Sequence, residues 1–266
     1  RETGEPIFPV EEREVPQGAV EGDYVSKTQP FPTKPAPLNP TYFDPDKAFG
    51  FTFWDRGHCK RTAKKLRNEG LFTPPSLEGS IHYPSGVGGN NWGGPAIDPE
   101  RNIMIVNTNN MASLIVMVPR EDCGKPLKEL SINKTQERFT NIESNEGAPY
   151  CNLRSMGFFS PLGVPCTEPP WGTLTAVDLN TGEHLWNVPL GTSKDLAPFP
   201  FWWIKGAPNM GGPTVTASGV IFIGATSDHY LRAFNTETGE ELAKFRLPTG
   251  GHATPMTYKN KNGRQF

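Results

Sequence analysis

The chain lacks any long apolar run: no stretch of its 266 residues approaches the roughly 18 to 20 consecutive apolar side chains that span a bilayer. It also lacks a charge excess. The 26 Lys and Arg nearly balance 28 Asp and Glu, leaving −2, so there is no basic footprint and nucleic acid is excluded as the expected partner. Cysteine is scarce, at four residues (Cys59, Cys123, Cys151, Cys166), and no two form a Cys-x-x-Cys pair, which excludes the common zinc spacings. Either Cys151 and Cys166 bridge one loop, as an oxidising compartment allows, or all four remain thiols; spacing leaves both readings open. Apolar residues make up only 35%, below the usual globular share, whereas Gly and Pro reach 28 each. That balance excludes a helical bundle and suits many short strands joined by long loops.

What is present is repetition. Asn91-Trp92-Gly93-Gly94-Pro95-Ala96-Ile97 returns as Asn209-Met210-Gly211-Gly212-Pro213-Thr214-Val215, an offset of 118 residues between Gly94 and Gly212. Ala176-Val177-Asp178-Leu179-Asn180-Thr181-Gly182 returns as Ala233-Phe234-Asn235-Thr236-Glu237-Thr238-Gly239, an offset of 57. The longer offset is about twice the shorter, so the two Gly-Gly segments are expected on propeller blades separated by about one other blade. The shorter element has a physical reason. Asp178 bonds backbone amides across a turn, Gly182 takes the left-handed conformation, and Trp186 packs flat between blades. The second copy keeps Gly239 but has Ala243 in the place of Trp186 and Asn235 in that of Asp178.

Residues 1–50 are Pro-rich and read as an extended segment. Residues 51–92 hold a short helix and loop, with one basic helix expected over 54–69 and its charges on a solvated face. From residue 93 the signal is β. Pro95–Ile97 and Ile103–Val106 flank the turn Asp98-Pro99-Glu100-Arg101-Asn102, and Leu114–Val118 follows. Thr173–Leu179 and His184–Val188 form another hairpin, and Val215–Phe222, Leu231–Phe234 and Leu242–Arg246 complete a further blade. Insertions are expected at 119–170, with little hydrophobic pattern, and at 190–210, where Phe199-Pro200-Phe201-Trp202-Trp203 is unusually aromatic. The expectation is an all-β chain of about three blades plus long loops. The opening Arg1-Glu2-Thr3-Gly4-Glu5 matches the middle of the Asp-x-x-Thr-Gly-Glu element, and residues 258–266 read as a strand, a turn and a strand just begun. Together they predict a fragment of a longer protein.

The Ala-x-Asp-x-x-Thr-Gly-x-x-x-Trp element resembles the tryptophan-docking repeat of the pyrroloquinoline quinone (PQQ) dehydrogenases. Val15-Pro16-Gln17-Gly18, Gly70-Leu71-Phe72-Thr73-Pro74-Pro75-Ser76, Gly163-Val164-Pro165-Cys166, Ala225-Thr226-Ser227-Asp228-His229-Tyr230-Leu231-Arg232-Ala233 and His252-Ala253-Thr254-Pro255-Met256 are similar to the membrane-bound glucose, quinate and shikimate branch. The resemblance implies the C-terminal part of an eight-bladed propeller. It further implies a periplasmic enzyme on the bacterial inner membrane that oxidises a sugar, polyol or cyclitol with PQQ and passes electrons to ubiquinone. Attachment to the membrane would run through a segment absent from this chain. Ca²⁺ or Mg²⁺ is implied as the accompanying Lewis acid.

The resemblance places an Asn and an Asp of the active site at Asn107 and Asp228, each expected just beyond the apolar strands ending at Val106 and Ile223. Asn107 would hydrogen-bond the quinone or substrate; Asp228 would bind substrate hydroxyls or tune charge near the cofactor. The plainer reading makes both turn residues. Trp92 is expected either in the cofactor pocket or packed between blades. His252 reads as a turn histidine, and alternation turns His229 away from Asp228. No metal ligand is assigned: the ligands, the general base and a cofactor-contacting Lys are implied to lie outside residues 1–266, so this stretch alone is expected to be inactive. The competing class is a non-enzymatic propeller scaffold, which has no use for Asn107, Asp228 or Thr73–Ser76. A soluble alcohol dehydrogenase of the same superfamily is disfavoured because no two cysteines are adjacent.

Overall fold

The computed structural model describes residues 2–86, 88–126, 129 and 141–266. The all-β expectation holds: among these residues the strands form three four-stranded antiparallel sheets and one two-stranded ribbon, with a single α-helix. The chain divides into two compact units. One draws on 1–33, 39–88 and 110–168; the other on 34–38, 89–109 and 169–266.

The first unit carries the ribbon Val10–Glu14 with Thr28–Pro32, so the Pro-rich start is more ordered than an extended strap. Its helix is Phe53–Ala63, shorter than the sequence predicts. Thr52 caps it, its hydroxyl accepting from Asp55 N at 3.2 Å. It stops early because the chain turns to pair: Arg67 N donates to Gly79 O and Ile81 N to Arg67 O. The basic side chains Lys60 and Lys64 stay exposed beside Asp46. The sheet runs in the order Ser80–His82, Ser113–Pro119, Tyr150–Ser155, Asn141–Glu143. Tyr150–Ser155 alternates outward and inward, burying Cys151 and Leu153, so the expected patternless insertion contains a core strand. The disulfide expectations are corrected as well. All four cysteines pair, Cys59 with Cys166 and Cys123 with Cys151, because Cys59, Cys151 and Cys166 share one core with Leu114, Val116 and Phe158 and Cys123 packs against it.

The second unit consists of two sheets of identical construction. Ala96–Asp98, Ile103–Asn109, Gly172–Asp178 and His184–Pro189 lie in that order; Thr214–Val215, Val220–Ile223, Tyr230–Asn235 and Glu241–Arg246 repeat it. Ile105, Leu174, Leu190, Ile221, Ile223 and Phe234 form one core between them. The two Gly-Gly segments therefore belong to successive blades, not to blades one apart. The 118-residue offset is one blade lengthened by an excursion, because the chain leaves after Asn109 and returns at Pro169. The second copy covers the same step with residues 224–229 alone.

The repeat residues explain the packing. Asp178 Oδ1 accepts from Asn180 N at 2.7 Å and Thr181 N at 3.3 Å, and Asn235 Oδ1 does the same for Glu237 N and Thr238 N at 2.8 and 3.1 Å. Trp186 docks on the next blade as its motif implies. Its indole N–H donates to Thr236 O at 3.0 Å, and its ring lies where a Cβ on Gly239 would come within 2.7 Å. The Gly-Gly pairs abut backbone to backbone: a Cβ on Gly93 would sit 2.2 Å from Gly211 C, and one on Gly212 2.1 Å from Gly93 O. Only glycine permits that approach.

Candidate functional site

Asp228 lies in the short connection between Val220–Ile223 and Tyr230–Asn235, flanked by the positive-φ residues Ala225 (52°) and His229 (59°). This tight path points its carboxylate inward, where it is 0% exposed. Oδ1 accepts from Thr226 Oγ1 at 2.6 Å and Arg232 Nη1 at 2.9 Å. Oδ2 accepts from Thr192 N at 2.8 Å, Thr192 Oγ1 at 3.1 Å and Arg232 Nη2. Burial pushes this carboxyl up, but hydrogen bonds from Arg232 and Thr226, the Arg232 charge and the Thr192 amide outweigh it and hold the pKa below the usual carboxylate value. Five donors occupy the roughly four lone-pair directions of the two oxygens. Of the two sequence-based roles, tuning charge near the cofactor does not need a free oxygen, but no place is left for a substrate hydroxyl in this arrangement. The cause is Arg232, four residues on, whose side chain is 3% exposed and also reaches Glu241 at 3.2 Å.

Asn107 is the opposite case. The strand does not end at Val106: Ile103–Asn109 stays paired through to Gly172, with Asn107 opposite Leu174. Asn107 and Asn109 lie on the same face, two residues apart, and both grip Asn209. Asn107 Nδ2 donates to Asn209 Oδ1 at 2.7 Å and to Gly211 O at 2.9 Å. Asn109 Nδ2 donates to Asn209 O at 2.7 Å, and Asn109 Oδ1 accepts from Asn209 N at 2.8 Å. Asn107 is 4% exposed and Asn209 2%. With both its N–H groups placed, the Asn107 carboxamide keeps Oδ1 buried and without a hydrogen-bond partner. A buried acceptor left unmatched costs about 1–3 kcal/mol, a cost that a water molecule or a ligand N–H or O–H would relieve.

The two residues are joined through others. Asn209 pairs with Thr226 in an isolated antiparallel bridge, and Thr226 Oγ1 donates to Asp228. Asn90 Nδ2 donates to Asn107 O at 3.0 Å, which brings the 90–93 segment to the same place. Trp92 in that segment is 62% exposed, so it is not buried between blades; its amide bonds Asn91 Oδ1 at 2.7 Å. His252, in its Gly-rich turn, contacts Ala225 O at 3.2 Å through Nδ1, and His229 Nδ1 faces Arg246 at 3.5 Å, away from the carboxylate. No group of three or more His, Cys, Asp or Glu able to hold a metal occurs among the described residues.

Asn209 and Arg232 carry this arrangement, and sequence reasoning assigned neither a site role. Asn209 had a signal: it opens the second copy of the repeat, where Asn91 opens the first. Thr192 had none, being 36 residues from the carboxylate it serves.

A profile described as "PQQ: Glucose/ethanol/alcohol dehydrogenase, beta-propeller domain" matches residues 1–266. The quinoprotein glucose dehydrogenase of Escherichia coli (strain K12) is 40% identical over 276 residues, which takes in 100% of this chain and 33% of that protein. The quinate/shikimate dehydrogenase (quinone) of Acinetobacter baylyi is 36% identical over 271 residues, with 100% and 33% covered. The glycerol dehydrogenase large subunit of Gluconobacter thailandicus is 34% identical over 277 residues, with 100% and 37% covered. The chain thus spans about a third of the length of these relatives.

Proposed function

Because this chain belongs to the PQQ β-propeller dehydrogenase family, we propose that it forms part of an enzyme oxidising an alcohol carbon of a sugar, polyol or cyclitol and handing two electrons to a quinone acceptor. The relatives are named for glucose, quinate or shikimate, and glycerol, all polyhydroxy compounds, and one of them is named with a quinone. PQQ, when bound, supplies the redox step. The residues of this chain bind and orient.

The observation that carries the reading is the buried, unpartnered Oδ1 of Asn107. It offers an acceptor to an N–H or O–H of the cofactor or substrate, at an orientation already fixed by its neighbours. Other buried side-chain atoms lack a partner too, Thr236 Oγ1 among them; Asn107 Oδ1 is the one at the position that the family resemblance marks. The exposed Trp92 ring offers a flat face to a planar cofactor. Asp228 acts through others: with Arg232 it fixes Thr192 and Thr226, and so the entry to the 190–210 loop. The Ca²⁺ or Mg²⁺ ligands and the general base belong to parts of the full-length protein outside residues 1–266, so this stretch alone is expected to show no turnover. The two disulfides support an oxidising compartment, in keeping with the periplasmic face of a bacterial inner membrane; ubiquinone is the quinone acceptor proposed there.

The test is dye reduction by the full-length enzyme, loaded with PQQ and Ca²⁺ or Mg²⁺, against glucose, quinate, shikimate and glycerol. PQQ-dependent turnover of at least one is expected. Turnover of none, with PQQ bound, rejects the substrate class.

A further inference from the structure

We infer that Asn209 is a positioning residue whose side chain sets the orientation of the Asn107 carboxamide and so creates the free acceptor; the inference rests on the cofactor-site reading of Asn107. Which end of each carboxamide is oxygen follows from backbone carbonyls, which only accept. Asn209 Nδ2 faces Thr108 O at 3.0 Å and Ala207 O at 3.5 Å, so it must be the donor end, and Oδ1 faces Asn107. Asn107 then meets two acceptors, Asn209 Oδ1 and Gly211 O, so its own NH₂ must point there. Oδ1 is directed the other way as a consequence. Asn109 holds the Asn209 backbone from both sides, N and O alike, as a paired strand would.

The chain of causes is therefore Asn109 to the Asn209 backbone, Thr108 O to the Asn209 carboxamide, and Asn209 Oδ1 to Asn107. Removing the Asn209 carboxamide leaves Gly211 O as the remaining acceptor for the Asn107 NH₂. The Asn107 carboxamide is then held by one hydrogen bond instead of two, so the flipped orientation, which offers N–H where an acceptor is needed, becomes easier to reach.

The experiment uses the full-length enzyme with Asn209→Leu, Asn107→Ala and the double variant, read by equilibrium PQQ titration and by thermal unfolding of the apoprotein. Asn209→Leu is expected to weaken PQQ binding about tenfold in the parent background and less than about twofold in the Asn107→Ala background. Equal losses in both backgrounds overturn the inference, since a merely structural asparagine acts whether or not Asn107 is present. Asn209→Asp adds a second readout. Either protonation state keeps an acceptor facing the Asn107 NH₂, so its PQQ affinity should fall clearly less than that of Asn209→Leu; a loss as large as that of Asn209→Leu counts against the inference. The unfolding arm separates the two readings. If Asn107→Ala leaves PQQ affinity unchanged, the cofactor reading of Asn107 fails, while non-additive unfolding shifts of the two single variants still uphold the clamp and additive shifts reject it.

Discussion

The two units reach rigidity by different means. The first ties distant segments covalently: Cys59–Cys166 closes a loop of 107 residues and Cys123–Cys151 one of 28. The second has no disulfide. It is held by backbone approach at Gly93 and Gly212, by the Trp186 indole on the next blade, and by the Asp228–Arg232 pair. The difference shows where ligand chemistry can be placed. A covalent staple constrains chain path, whereas the polar clamps of the second unit fix individual atoms, and they leave Asn107 Oδ1 and Thr236 Oγ1 without a partner.

Substitutions can break each side of that contrast. The largest effect is expected at Gly212→Ala, whose Cβ would fall 2.1 Å from Gly93 O with backbone on both sides and nothing free to yield. A loss of about 4 kcal/mol or more, read by denaturant unfolding of the full-length protein, is the expected outcome. A change below about 1 kcal/mol would mean the two blades do not approach this closely. Replacing Cys59 and Cys166 together by Ser is expected to cost about 4 kcal/mol through loop closure, against less for Cys123 and Cys151 with their shorter loop.

Arg232→Met should follow, at about 3 kcal/mol, because it strands a buried carboxylate; adding Asp228→Leu should restore much of the loss. Asp228 also predicts a pH dependence. Its folded pKa is held below the ordinary carboxylate value of 3.8, so its stabilisation is present above that value and is lost as pH falls through the depressed one. Asp228→Asn should flatten the acid limb of a stability-against-pH curve in that window. The smallest effect is Trp186→Phe, about 1 kcal/mol for the lost indole hydrogen bond to Thr236 O, seen as a lowered unfolding midpoint.

Much of the second unit was legible because its determinants are local. Asp178, Gly182 and Trp186 act within one turn and one strand, so their spacing encodes their job. The distance between blades was misread because the period assumes an uninterrupted chain, and an excursion after Asn109 counts as residues without adding a blade between the copies. In the first unit Cys59 meets a partner 107 residues away, and nothing in sequence spacing selects Cys166 over Cys151. The site divides in the same way. The motif marks Asn107 and Asp228 but not their distant partners: Thr192 fills one carboxylate oxygen, and Asn209 orients the carboxamide. Reading a strand as ending at its first polar residue hid the pairing of Asn107 through Asn109.

Whether the Asn107 acceptor serves the cofactor is the central question. Equilibrium PQQ titration of the full-length enzyme, with Asn107→Ala beside the parent and the fold followed by thermal unfolding, decides it. The predicted result is about tenfold weaker binding with cooperative unfolding retained. Unchanged affinity in a folded variant would contradict it.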